Sequence, residues 1–231
     1  MDLEHLDVRF NNWTGLPIPT KMGLLKRLKY LNLSTAGFAG IVPWQLRNLS
    51  SLIGLDLSSS DSMLISPDLS WLTNLTALRN LSLDETDLSL TSSSWGQSVS
   101  HLSQLINLTM SNCRLNGPIP PSLQNLASLE ILHLDRNNFE SEFPTWVAKM
   151  TSLVSLQISN ANLNGSLPFE LSQMPYIKRI FLGKNKISAN VCQIFRGQWK
   201  SLTIFNMPNN SLYGSIPLSI GKISSLVQLE A

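Results

Sequence analysis

Leucine recurs along this chain in a fixed frame, Leu-x-x-Leu-x-Leu, rather than at the spacing of a long amphipathic helix. The frame starts ten times, at Leu3, Leu28, Leu52, Leu78, Leu105, Leu129, Leu153, Ile177, Leu202 and Leu226. Successive starts lie 25, 24, 26, 27, 24, 24, 24, 25 and 24 residues apart. Because a strand sends alternate side chains to opposite faces, each Leu-x-Leu step predicts a short strand with leucines inward and the intervening residues outward.

Polar and small residues recur at fixed places after each predicted strand. Three positions beyond the last strand leucine, Asn11, Asn137, Asn185 and Asn210 carry amides that can donate to and accept from the turning backbone. Ser60, Thr86 and Cys113 in the same slot can do so only in part. Ala36 and Ala161 cannot do so at all, which predicts weaker turns in the second and seventh coils. Farther on, a glycine suits a bend, and a proline after an apolar residue fixes an extended return stretch.

One coil of about 24 residues cannot bury enough apolar surface to offset the entropy of ordering it, so the coils must stack. Leucine supplies 42 of the 231 residues, which such a continuous core requires. The pattern therefore predicts an α/β solenoid, a right-handed superhelix with a parallel β-sheet of about nine strands on its concave face. Residues 1–231 form one domain of about nine full coils and a partial tenth, with nothing stacked over Leu3 and Leu6.

These features define a leucine-rich repeat, and one six-residue step narrows its class. Leu115-Asn116-Gly117-Pro118-Ile119-Pro120 recurs at 163–168 and 212–217, and it resembles the plant-specific repeat of 24 residues. The irregular third and fourth coils, with Trp71-Leu72 and Trp95, resemble plant extracellular receptor-like proteins that sense elicitors. That family carries a signal peptide, cysteine-paired caps and a membrane helix, none of which is apparent here. The resemblance therefore implies a fragment, or a truncated gene product, of a larger receptor-like protein or receptor kinase.

Composition and motifs argue against several other classes of protein. Only 14% of residues are charged, and 17 Lys+Arg against 15 Asp+Glu give a net charge of +2, which does not suit nucleic-acid binding. No hydrolase, metalloprotease, kinase or phosphate-loop motif occurs, and His5, His101 and His133 fall in different coils. Cys113 and Cys192 lie three coils apart, about 14 Å, too far for a disulfide. We therefore expect no enzyme activity, no cofactor and no metal site.

Eight Asn-x-Ser/Thr sequons suggest a glycoprotein of the secretory route, with glycans solubilising a surface poor in charge. They are Asn12, Asn32, Asn48, Asn74, Asn80, Asn107, Asn164 and Asn209. The alternative is that Asn-Leu-Ser and Asn-Leu-Thr occur because the repeat consensus requires these residues, and not because they are glycosylated. Asn48 and Asn74 are the strongest candidates because they precede the next coil on the outer side.

The outward strand positions predict a ligand-binding surface, since no core requirement dictates them. Early coils present acids such as Asp56, Asp61, Asp84, Glu85 and Asp87, whereas later coils present the candidate binding residues. These are His133, Asp135, Arg136, Gln157, Arg179, Phe181 and Lys184. Glycans on Asn80 and Asn107 would screen the fourth and fifth coils and shift binding to coils six through eight. An outward aromatic, Phe181, is the sharpest anchor, although it could instead pack on Arg179 and Gln157. The basic residues favour an acidic or sulfated ligand.

The leading hypothesis is a non-catalytic ligand-recognition segment of a plant cell-surface receptor in defence or peptide signalling. Its ligand is a peptide, protein or glycan, a co-receptor kinase is its partner, and it lies at the extracellular face of the plasma membrane. Membrane attachment would come only through segments that this chain lacks. The alternative is a secreted inhibitor of microbial cell-wall-degrading enzymes in the apoplast, and a third option is the sensor of an intracellular immune receptor. The residues leave the ligand, the receptor type, the species and the oligomeric state open.

Overall fold

The computed structural model describes residues 2–59 and 64–231 as a stack of coils, each contributing one three-residue strand to a single sheet. Each coil is numbered by its strand in this sheet. In order from coil 1 to coil 10, the strands are His5–Asp7, Tyr30–Asn32, Gly54–Asp56, Asn80–Ser82, Asn107–Thr109, Ile131–His133, Ser155–Gln157, Arg179–Phe181, Ile204–Asn206 and Gln228–Glu230. All neighbours pair in parallel, in chain order. The predicted parallel sheet is confirmed, with ten strands rather than about nine.

The pairing register places equivalent residues of each coil side by side, and the central residue of each strand points into the core. Leu108 pairs with Leu132, and Leu132 with Leu156, while the outward Thr109, His133 and Gln157 align beside them. The central residues of coils 2 to 9 are all buried. Outward residues therefore form continuous rows across the sheet, one residue per coil.

The returning side of each coil consists mainly of short 3-10 helices rather than α-helices. The 3-10 helices are Thr20–Leu24, Trp44–Asn48, Ser70–Asn74, Ser89–Thr91, Pro121–Asn125, Thr145–Lys149, Phe169–Gln173 and Leu218–Lys222. The short α-helix Val191–Ile194 replaces this element in coil 8, and a second one, Trp95–Ser100, follows the 3-10 helix Ser89–Thr91 in coil 4. In six of the eight, a proline in extended backbone immediately precedes the 3-10 helix, which explains the apolar-Pro step.

A second, narrow ladder runs beside the main sheet, where only an extended return stretch was predicted. Gly40–Ile41 pairs with Leu64–Ile65, and Ser188–Asn190 pairs with Ser211–Tyr213, both in parallel. Single bridges such as Asn116 to Asn138 continue this ladder between other coils. Extended segments at the same height in adjacent coils leave backbone N–H and C=O groups side by side, and pairing satisfies them.

Buried asparagines, Asn137 and Asn185, join coils 6 and 8 to the coil before each of them. Asn137 Oδ1 accepts hydrogen bonds from the backbone N–H of Cys113 and Leu115 at 3.1 and 3.0 Å. Its Nδ2 donates to the carbonyl oxygens of Met110 and Leu134 at 2.8 and 3.0 Å. Each asparagine therefore serves the preceding coil as well as its own.

This geometry corrects the prediction for Ala161. Asn185 of coil 8 accepts hydrogen bonds from the N–H groups of Ala161 and Leu163, so the turn of coil 7 is satisfied from the next coil. An asparagine at position 161 would form hydrogen bonds to the backbone of coil 6, and alanine cannot form them. Cys113 provides the partial substitution that was expected, since its thiol donates to the Leu83 carbonyl oxygen at 3.1 Å. Ser60 and Asp61 lie outside the described residues.

Thr86 occupies the asparagine slot of coil 4 without using its hydroxyl. Its side chain is fully buried, and Oγ1 has no hydrogen-bond partner among residues 2–59 and 64–231. We expect Thr86→Val to raise the free energy of unfolding by about 1 kcal/mol, because valine has the same shape and no unsatisfied oxygen. Urea denaturation measures the change.

Thr91 provides the matched control for this prediction. It is equally buried, but its Oγ1 donates to the Leu88 carbonyl oxygen at 2.9 Å. Thr91→Val is therefore expected to destabilise the protein by about 1 kcal/mol. Equal effects of the two substitutions would show that the Thr86 hydroxyl is not an unsatisfied group.

Candidate functional site

A cleft of about 520 Å³ crosses the outward rows of coils 4 to 9, at the C-terminal ends of the strands. We call it the concave cleft. Its lining contains Asp84, Glu85, Ser111, Asn112, Asp135, Arg136, Gln157, Ser159, Asn160, Phe181, Gly183, Lys184, Asn206 and Pro208. These residues occupy the last outward strand position or the second and third positions after it in successive coils. The repeat thus converts separate short segments into one surface.

Five of the seven candidate binding residues lie together in this cleft. Asp135, Arg136, Gln157, Phe181 and Lys184 all belong to its lining. The other two, His133 and Arg179, belong to the strands of coils 6 and 8 but are not part of the cleft lining. The prediction of a shared surface on coils 6 to 8 therefore matches the geometry for these five residues, whereas their role in binding stays a prediction.

Phe181 is the aromatic residue of the cleft and is half-buried. The register places it beside Gln157 of coil 7 and Asn206 of coil 9. Its neighbours in the row therefore carry amide groups, which can hydrogen-bond a ligand while the ring provides apolar contact. Part of its surface stays accessible.

Two carboxylates in the cleft serve the backbone of the next coil. Asp84 Oδ1 accepts a hydrogen bond from the Ser111 N–H, and Asp135 Oδ1 accepts one from the Ser159 N–H, both at 2.6 Å. Burial raises the pKa of both carboxyl groups above the usual value, against the effect of these hydrogen bonds. Asp135 therefore has a structural role, because its hydrogen bond fixes the backbone of the next coil beneath the cleft.

His133 is half-buried and contacts Ser155 of the adjacent strand, with Nε2 at 3.1 Å from Oγ. Desolvation by burial, followed by the nearby positive charge of Arg179, lowers the pKa of His133 to about 4. The imidazole is consequently neutral at neutral pH. It adds no positive charge to the basic end of the surface.

The lowered pKa of His133 predicts a pH-dependent loss of stability. Above pH 6.5 the histidine is neutral in both the folded and unfolded states, so it has no effect. Below pH 6.5 the unfolded chain takes up the proton first, and stability falls as the pH drops toward 4. We expect this contribution to reach about 1–2 kcal/mol, since solvent reduces it at a partly exposed group.

The comparison of wild type with His133→Gln isolates this effect from the titrating carboxylates. The raised pKa values of Asp84 and Asp135 act in the opposite sense, because the folded state takes up their protons first as the pH falls. Denaturation at pH 7.5 and pH 4.5 should therefore show a larger acid loss for wild type than for the variant. Parallel pH curves would contradict the prediction.

A second and larger concave pocket, of about 630 Å³, was not predicted from the sequence. It crosses coils 1 to 5, and its lining contains Asp7, Tyr30, Gly54 and Asp56. Gly54 leaves the outward strand position of coil 3 without a side chain, and the Tyr30 ring stacks on His5 at 4.7 Å between centroids. The glycine in an outward slot was the available signal. The acidic end of the surface thus has a depression of its own.

The sequon side chains differ in exposure. Asn48 and Asn74 each end an outer 3-10 helix and are exposed. Asn80 and Asn107 are half-buried on adjacent strands, where Asn107 Nδ2 donates to Asn80 Oδ1. The amide nitrogen that would carry a glycan at Asn107 is therefore engaged in the sheet surface.

Three other expectations concern metals, thiols and membranes. Within residues 2–59 and 64–231, no three His, Cys, Asp or Glu side chains group around a point that could hold a metal. Cys113 and Cys192 are free thiols, and burial raises the pKa of the Cys113 thiol. No helix in the described part of the chain has the length and apolar character to cross a bilayer.

Comparison with known proteins gives the same repeat. The family model described as Leucine Rich Repeat matches residues 104–126 and 128–150, which cover coils 5 and 6. The chain is 38% identical over 143 residues to Receptor-like protein EIX1 of Solanum lycopersicum, and this match covers 60% of the chain. It is 35% identical over 152 residues to Receptor-like protein 6 of Arabidopsis thaliana, with 62% of the chain covered. The matches span only 14% and 15% of those two relatives.

Solved structures show the same fold over nearly the whole chain. The leucine-rich repeat ectodomain of the Arabidopsis thaliana membrane receptor kinase GASSHO1/SCHENGEN3, solved in complex with CASPARIAN STRIP INTEGRITY FACTOR 2, superposes with a TM-score of 0.72. The match covers 99% of this chain and 33% of that ectodomain, at 23% sequence identity. The stacked strands, the matched repeats and the solved structure show that the chain has the leucine-rich repeat fold, and its sequence is similar to plant receptor-like proteins.

Proposed function

We propose that this chain is a ligand-recognition segment of a plant cell-surface receptor and that its ligand, a peptide or protein, binds in the concave cleft. The observation that supports this most is the joining of Phe181, Gln157, Arg136 and Lys184 in one cleft. None of the four is a buried core residue. The core does not need these side chains, so their aromatic, amide and cationic groups are available to contact a ligand.

The proposed segment acts by binding and catalyses no reaction. By similarity to these relatives, we place the segment outside the cell. Ligand binding would then activate a co-receptor kinase in defence or peptide signalling. The similarity to receptor-like proteins supports this placement, while the described residues contribute the recognition surface. A glycan ligand is the alternative chemistry for the same cleft.

N-linked glycosylation at the eight sequons is part of the proposal. Exposure supports Asn12, Asn48, Asn74, Asn164 and Asn209 first, whereas Asn32, Asn80 and Asn107 are half-buried. Asn48 and Asn74 lie on the outer 3-10 helices, so glycans there would leave the concave cleft open. Protein secreted from plant cells should lose mass on glycan removal, and an unchanged mass would refute this part of the proposal.

A library of random peptides displayed on phage provides a test that needs no known ligand. Peptides selected on the wild-type chain are expected to lose about tenfold or more in affinity on Phe181→Ala, because truncation of an anchor residue removes at least about 1.4 kcal/mol. Isothermal titration calorimetry measures each affinity.

Trp44→Ala is the matched control for Phe181→Ala. Trp44 is an exposed aromatic residue, 61% accessible, on an outer 3-10 helix away from the cleft. Peptide affinities should be unchanged by its loss. Selected peptides that tolerate Phe181→Ala but lose affinity on Trp44→Ala would place recognition on the outer face and overturn the proposal.

A further inference from the structure

A second depression, of about 410 Å³, adjoins the concave cleft on the side of the solenoid. We call it the lateral pocket. Four cationic residues line it, Arg114, Arg136, Lys184 and Lys186, and every other lining residue is an asparagine. Arg136, Asn160 and Lys184 line both the lateral pocket and the concave cleft, so the two are continuous.

The fold does not require cations at the rim between the two depressions. Arg136 and Lys184 sit in left-handed backbone, with φ of 56° and 57°. Asparagine fills the same left-handed slot in coils 5, 7 and 9, as Asn112, Asn160 and Asn209. Asparagine tolerates this conformation better than long side chains do. Phe10, Thr35 and Glu85 fill the slot in coils 1, 2 and 4, so it accepts several kinds of side chain and the cations of coils 6 and 8 are free to contact a ligand.

Most of the positive charge in the lateral pocket is not neutralised. Arg114 pairs with Asp87 at 2.7 Å. Arg136, Lys184 and Lys186 form no salt bridge with any residue in the described ranges. Asp135 lies near enough for its charge to interact with Arg136, although its carboxylate accepts from the Ser159 N–H, and Glu140 accepts from the Asn138 amide.

The pocket has hydrogen-bond donors for a carboxylate ligand and no aromatic ring to stack on a sugar. Arg136, Lys184 and Lys186, which form no salt bridge in the described part of the chain, and the side-chain amide of Asn160 are hydrogen-bond donors, and cations pair strongly with carboxylates. No aromatic side chain lines the pocket to stack on a sugar. From coil 5 to coil 8 it spans three strand spacings, about 14 Å, which is the length of about four residues of extended chain.

We propose that the lateral pocket binds acidic side chains of an extended peptide whose backbone lies in the concave cleft. This inference rests on the proposed function and specifies the ligand's chemistry, a run of carboxylates at one edge. Hydrogen bonds from the arginine and lysine rim would orient these carboxylates, and the half-buried Phe181 would contact the apolar part of the same peptide.

The test uses two synthetic peptides, each with neutral flanks, one carrying four glutamates and the other four glutamines. Titration calorimetry at low salt should show the glutamate peptide binding at least about tenfold more tightly. That advantage should disappear in the double variant Arg136→Asn/Lys184→Asn and shrink at high salt. Both substitutions restore the residue found in the neighbouring coils, so the variant is expected to fold, as circular dichroism will verify.

Arg196→Gln/Lys200→Gln is the charge-matched control, because it removes two exposed cations that do not line the pocket. It should leave the glutamate preference intact. Equal affinities for the two peptides, equal losses in both double variants, or tighter pocket-dependent binding of polygalacturonate would each overturn the inference. If selected phage peptides still depend on Phe181, the proposed function survives that failure.

Discussion

Replacing Asn137 with alanine is expected to lower the free energy of unfolding by about 4–6 kcal/mol. The substitution leaves two buried N–H groups, those of Cys113 and Leu115, and two carbonyl oxygens, those of Met110 and Leu134, without their side-chain partner. Each unsatisfied buried group costs about 1–3 kcal/mol, partly relieved by relaxation. Denaturant unfolding, combined with hydrogen exchange at the amides of Cys113 and Leu115, measures the global and local losses.

Asn11→Ala is the control, since Asn11 occupies the same slot in coil 1 but is exposed. Its Nδ2 donates only within its own coil, to the carbonyl oxygens of Val8 and Arg9. The expected cost is about 1 kcal/mol or less. A similar cost for Asn11→Ala and Asn137→Ala would mean that bonding between coils contributes little.

Phe205→Ala is expected to destabilise the protein by about 3–5 kcal/mol, through lost apolar burial and the cavity left behind. Phe205 takes the central strand position of coil 9, where other coils carry leucine or isoleucine, and it is fully buried. Its ring contacts Phe195 and Trp199 edge-on, with centroids at 5.2 and 6.1 Å. Thermal or urea unfolding reports the loss.

Tyr213→Ala, which removes an exposed aromatic residue of the second ladder, should cost less than about 0.5 kcal/mol. Because coils interact mainly with their neighbours, the loss from Phe205→Ala should be concentrated in coils 8 to 10. Uniform loss of amide protection along the whole chain would contradict this nearest-neighbour description.

The sequence predicted the main sheet because a repeat imposes the same constraint at every coil. Leu108, Leu132 and Leu156 are central strand residues, as their frame requires, and the pairing register follows the spacing of the frame. The candidate cleft was partly predictable for the same reason. Once Gln157 and Phe181 are outward residues of adjacent coils, they must be neighbours.

Features that depend on contacts between coils could not be predicted from one coil's sequence. Asp135 lines the cleft, and its carboxylate also accepts a hydrogen bond from the Ser159 N–H of the next coil, which the sequence of coil 6 alone does not show. Asn185 satisfies the turn at Ala161, which the sequence of coil 7 alone presents as deficient. The lateral pocket arises where coils 5 to 8 align Arg136, Lys184 and Lys186 in three dimensions.

Photo-crosslinking of a selected phage peptide to the wild-type chain tests the central claim, that recognition occurs in the concave cleft. A benzophenone group is placed at each peptide position in turn, and the crosslinked residues are identified by mass spectrometry. The account predicts crosslinks at Gln157, Phe181 and the left-handed turns around residues 136, 160 and 184, which line the cleft. Crosslinks confined to the outer 3-10 helices, such as Trp44–Asn48, would contradict it.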